Sequence, residues 1–99
     1  MIYIQFEAMP TQSVAERENV TGAYVNCWIQ TDDVAQAEKL ARLWIAEQEW
    51  VVIGVEEIRQ IDLKVEGRGP NAQYIREATD SGGSMVFHRW SAQGEDTQG

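Results

Sequence analysis

The chain has 99 residues, 43% hydrophobic and 24% charged, which suits one domain with a packed core and argues against a disordered chain. Sixteen Asp and Glu against eight Lys and Arg give a net charge of −8 at pH 7; phosphate backbones and anionic membranes are repelled by such a surface, so neither is an expected partner. A single cysteine excludes an internal disulfide framework, and a single histidine excludes a multi-histidine metal site within one chain.

The first segment alternates. Ile2, Ile4, Phe6 and Ala8 point one way and Tyr3, Gln5 and Glu7 the other, the period-two signature of a half-buried strand. Met9 to Thr21 is polar, contains Pro10 and reads as a loop, with Ser13 and Glu16 able to cap at most one helical turn. Gly22 opens a second strand, with Ala23, Val25, Cys27 and Ile29 on its apolar face and Tyr24, Asn26, Trp28 and Gln30 on the other.

Thr31, Asp32 and Asp33 then supply N-terminal helix signals. Val34, Ala37, Leu40, Ala41 and Trp44 recur at three- and four-residue spacing, and Leu43 and Ile45 widen the stripe, so the pattern predicts a helix over Val34 to Glu49. Trp50 to Glu66 is β-rich. Val51, Ile53 and Val55 share a phase that Ile61, Leu63 and Val65 continue, but a straight strand would bury Glu57 and Arg59 on the same face. A break near Glu56 to Arg59, making two strands, avoids that cost; one long bulged strand is the competing solution. Pro70 suits the first turn of a second helix carrying Tyr74, Ile75 and Ala78, and Gly82-Gly83 stop it. Met85 to Trp90 is the last strand, with Met85 and Phe87 on one face and Val86, His88 and Trp90 on the other. Residues 92–99 read as a flexible acidic tail behind a single α+β domain of residues 1–91.

The predicted order is strand, then strand–helix–strand–strand–helix–strand. After the first strand this is the layout of the ferredoxin-like split βαβ arrangement, one sheet containing antiparallel pairs with both helices on one face. Such a layout hosts many functions and names none.

Three short motifs suggest chemistry and fail on context. Asp80-Ser81-Gly82-Gly83 resembles the tetrapeptide around the nucleophile of trypsin-like proteases, but His88 follows the serine instead of preceding it. Gly67-Arg68-Gly69-Pro70-Asn71-Ala72 matches the dinucleotide-binding pattern between a strand and a helix, without the second parallel strand and acidic end that the pattern needs. Cys27, in mid-strand on the apolar face, lacks the cation or helix N-terminus that activates a thiol. The sequence therefore assigns no catalytic residue, metal or cofactor.

The face opposite the apolar one is unusual for an open sheet. It carries Tyr3, Tyr24, Asn26, Trp28, His88 and Trp90, with Gln5, Glu7, Gln30 and Val86. Aromatic side chains in such numbers bury area while keeping a polar tip, the composition of protein contacts. The expectation is a cytoplasmic domain that forms a homodimer through this face, anchored by Trp28, Trp90, Tyr24 and Tyr3, with Asn26 and His88 fixing register. The alternatives are a ligand or active-site pocket with His88 as acid/base and Glu7 as its partner, and an acidic inhibitor of a basic protein.

Overall fold

A computed structural model describes residues 1–91 and the backbone of 96–98. Its strands are β1 (Ile2–Pro10), β2 (Gly22–Ile29), β3 (Trp50–Gln60), β4 (Gly83–Trp90) and the short β5 (Asp96–Gln98). Its helices are α1 (Gln12–Glu18), α2 (Val34–Glu47), α3 (Leu63–Glu66) and α4 (Ala72–Ser81). Of the expected tail, residues 92–95 and 99 lie outside the described residues.

The architecture is α+β, with one sheet in the order β3-β1-β2-β4-β5 and every neighbouring pair antiparallel. Because β2 and β3 both run opposite to β1, they are parallel to each other. The unit β2–α2–β3 is therefore a split β-α-β with β1 between its strands. The rest departs from the expected layout. Residues 61–66 add no strand to the sheet, and the helices do not share a face.

The first face carries the main core. Ile2, Ile4, Phe6 and Ala8 of β1 and Ala23, Val25, Cys27 and Ile29 of β2 are fully buried there with Ala37, Ala41 and Ile45 of α2 and Val14 of α1. The alternation read from the sequence is thus the alternation that is buried. Asp33 caps α2 by accepting a hydrogen bond from the Gln36 amide at 3.1 Å, and Glu49, with φ of 65°, turns the chain into β3. Two members of the expected helix stripe, Val34 and Leu43, are exposed: Val34 is the first residue of α2, and Leu43, two residues on from Ala41, faces away from the buried Ala37–Ala41–Ile45 line. The expected loop after β1 contains α1, whose burial of Val14 offsets the helix's shortness.

Strand β3 resolves the Glu57–Arg59 conflict by bulging, so the proposed break into two strands is corrected. Gln5 pairs with Glu57 but Phe6 with Val55; Glu7 pairs with Gly54 but Ala8 with Val52. Glu56 and Ile53 are the two extra residues. Each insertion turns the following side chains to the other face. Trp50, Val52, Val55 and Ile58 consequently share the first face, while Val51, Gly54, Glu57 and Arg59 share the second. The expectation that Val51 and Ile53 are covered is corrected with it: both are about half exposed. Where Leu63 and Val65 were expected in a strand, Asp62 starts the single turn of α3, its side chain accepting from the Lys64 amide at 3.0 Å.

Helix α4 lies on the second face, not beside α2. Ile75 and Ala78 pack with Met1, Tyr3, Trp28 and Ile61 in a second, smaller cluster, against which Tyr74 and Val86 rest. Gly82 caps α4 with φ of 96°, its amide donating to the Ala78 carbonyl at 2.8 Å. The protease-like tetrapeptide is therefore this helix stop. The dinucleotide-like segment is likewise a connection between two helices, without the preceding strand that its function requires.

At the start of β4, the Trp44 ring of α2 occupies the space a side chain at residue 83 would fill. Gly83→Ala should therefore cost about 1–3 kcal/mol in urea unfolding, the range for overpacking a core. An unchanged midpoint would mean that the Trp44 ring moves aside freely.

Candidate functional site

The second face is divided. Directly paired residues share a face, so the registers set its side chains in rows. One row reads Arg59–Tyr3–Trp28–Ser84, the next Glu57–Gln5–Asn26–Val86, and the next Gly54–Glu7–Tyr24–His88. Beyond them Val51 pairs with Met9, and Gly22 with Trp90.

Helix α4 closes the Tyr3–Trp28 end. The Trp28 ring stacks on Tyr74 of α4, 5.1 Å between centroids and 10° between planes, and meets Tyr3 at 5.2 Å and 52°. Trp28 is 1% exposed and Tyr3 7%. Burying a tryptophan this fully contributes roughly 4–6 kcal/mol of transfer free energy before entropy is counted. Burial, with the Glu57 carboxylate adding to it, raises the Tyr3 hydroxyl above its ordinary pKa, and this hydroxyl donates to Asn26 Oδ1 at 3.1 Å. The Arg59 guanidinium covers the outer side of the Tyr3 ring, 4.8 Å from its centroid, and donates to the carboxylates of Glu57 and Glu66. Glu66 in turn accepts from the Asp62 amide. Arg59 thereby ties α3 to the sheet.

The other end is open. Tyr24 is 41% exposed and tilts against Trp90, with 5.1 Å between centroids and 56° between planes. Trp90 lies over Gly22, whose missing side chain makes room for the indole. Met9, paired with Val51 just past the last β1–β2 pair Ala8–Ala23, is 47% exposed and Val51 50%. Asn26 and Gln5 form the boundary between the halves, Gln5 Nε2 donating to Asn26 Oδ1 at 3.0 Å.

Of the six residues singled out by sequence, the structure thus leaves Tyr24, His88 and Trp90 on the open half, Asn26 at its boundary, and Tyr3 and Trp28 beneath α4. The expectation that all six look away from both helices is corrected by the placement of α4. Met9 and Val51 join this half without a mark in the sequence: Met9 opens the polar stretch that reads as a loop, and the bulge at Ile53 puts Val51 out of phase with Val55.

The proposed acid/base pair is not assembled. Tyr24 stands between Glu7 and His88, on the intervening strand, so two strand spacings, roughly 9–10 Å, separate them. A hollow of about 280 Å³ lies elsewhere, lined by Val65, Glu66, Gly69, Pro70 and Asn71. Cys27 is fully buried on the first face, where burial pushes its thiol up to about 12; it is a core residue without thiolate character at neutral pH. Among the described residues no helix is long and apolar enough to cross a membrane, and no three His, Cys, Asp or Glu converge on a metal-sized space. No protein family, curated protein or solved structure matches the chain.

The two tryptophans of this face should separate in mutagenesis. Trp28→Ala should cost about 3–5 kcal/mol in chemical unfolding, whereas Tyr24→Ala and Trp90→Ala should leave a folded protein with losses of about 1–2 kcal/mol. Equal losses at Trp28 and Trp90 would contradict the division of the face.

The Arg59–Glu66 link carries an acid signature. Burial works to raise the Glu66 carboxyl, but the Arg59 and Asp62 hydrogen bonds and the Arg59 charge together hold it below its ordinary value. Stability from such a group is fully present above the ordinary carboxylate pKa and is lost as pH falls through the lowered one. Glu66→Gln should therefore lower Tm by a few degrees at neutral pH, and the gap to wild type should close in strong acid. A gap independent of pH would assign the effect to packing.

Proposed function

We propose that this chain is a small acidic interaction domain that docks a partner protein on the open half of its second sheet face. The observation that supports this is the exposure of Tyr24, Met9 and Val51 with Trp90 at one end of the same sheet face. Solvated sheet faces are ordinarily polar, and aromatic patches of this kind are characteristic of protein contacts. The proposal keeps the cytoplasmic setting expected from the sequence.

Homodimerisation is retained in a reduced form. With Tyr3 and Trp28 beneath α4, contact between two copies rests on Tyr24 and Trp90 with Met9 and Val51 around them. The formal charge of −8 on each copy opposes that contact at low ionic strength. Light scattering at tens of micromolar protein tests it. The expected result is a monomer in low salt and association at about 0.5 M salt, where repulsion is screened, that Trp90→Ala abolishes. A monomer in both conditions would leave this surface to a different chain.

A further inference from the structure

Among the described residues, the open half contains an acid with no ion-pair partner. Glu7 is half buried in the row Gly54–Glu7–Tyr24–His88, and among the described residues its carboxylate has neither a hydrogen-bond nor an ion-pair partner. Arg59, the arginine of this face, belongs to a different row and is engaged by Glu57, Glu66 and the Tyr3 ring. On the β3 side of Glu7, Gly54 has no side chain, and the space where one would stand is empty. On the β2 side stands the Tyr24 ring, leaning on Trp90. Two positions back along β1, the Gln5 amide nitrogen donates to Asn26 Oδ1, which leaves Gln5 Oε1 as an acceptor. Asn26 Oδ1 already receives Tyr3 and Gln5, which leaves the Asn26 amide hydrogens as donors.

We propose that this strip binds the cationic side chain of a basic segment in a partner protein, with arginine preferred over lysine. A guanidinium placed over Gly54 and Glu7 would pair with the Glu7 carboxylate and reach Gln5 Oε1. Its planar face suits Tyr24 and Trp90, while its donors match the carboxylate in a bidentate pair. The Asn26 amide is positioned to meet a carbonyl of the same segment. Charge complementarity selects this occupant over a second copy: a chain with a formal charge of −8 attracts a basic partner at long range and repels itself. The inference rests on the docking proposal and adds the chemistry of the partner.

The test is an NMR titration of the full ¹⁵N-labelled chain with a short peptide alternating Arg and Val, and with its Gln-for-Arg counterpart. The expected result is that the Arg peptide moves the resonances of Gln5, Glu7, Tyr24, Asn26 and the Trp90 indole. Binding should fall about tenfold in Glu7→Gln and weaken with salt, but hold in Glu47→Gln, which removes the same charge from an exposed position on α2. Equal loss in both variants, or shifts centred on Asp32 and Asp33, would reduce the effect to general attraction and overturn the proposal. If both peptides bind equally and Trp90→Ala abolishes both, docking stands and the cationic preference falls. If neither peptide moves these resonances, both fall, and the well-dispersed spectrum of each variant reports in the same experiment that the fold is intact.

Discussion

Trp28, held between Tyr3 and Tyr74, is the contact on which the second half of the molecule depends. It gives α4 an apolar floor that the helix's few hydrophobic residues could not supply alone: Ile75 and Ala78 are its buried members, and Tyr74 adds its ring to the stack. A ten-residue helix is marginal by itself in water, so its stability comes from this packing. The same contact determines what remains for a partner. By covering Tyr3 and Trp28, α4 converts a broad aromatic surface into a narrower one that ends at the Gln5–Asn26 hydrogen bond.

The bulges in β3 have a comparable reach. With Ile53 and Glu56 as extra residues, the strand places Trp50 and Val52 in the core at one end and Glu57 and Arg59 on the second face at the other. Arg59 is then free to cover the Tyr3 ring and engage Glu66, which brings α3 against the sheet. Gly54, between the two insertions, falls beside Glu7 and leaves the gap there. A straight strand with Trp50, Val52 and Ile58 in the core would have buried Glu56 beside them and turned Val55 out to the second face. The local irregularity is the condition for the regular pairing around it.

Charge and apolar surface act at different ranges on the open half. The formal charge of −8 is felt over a Debye length and biases encounter towards basic surfaces, whereas the Tyr24–Trp90 pair acts only on contact. Glu7 links the two, because it brings the sign of the whole protein into the row that holds Tyr24. An acidic surface alone would confer little selectivity. A carboxylate set between an aromatic ring and an empty glycine position adds shape to the charge.

Much of the fold was legible in the sequence because alternation and helical spacing are local. Ile2, Ile4, Phe6 and Ala8 with Ala23, Val25, Cys27 and Ile29 define the buried face of the central strands, and Ala37, Ala41 and Ile45 the helix that covers it. The candidate site was legible in part: Tyr24, His88 and Trp90 share a face because of the same period of two. The rest depended on contacts distant along the chain. Whether α4 covers the first or the second face is settled by Trp28 offering it a ring to stack on, some fifty residues earlier. Val51 could be placed only once β3 was paired with β1, since a bulge is defined by its partner strand. Local pattern, then, determined which residues are apolar together; long-range pairing and packing decided which of those apolar surfaces are left open.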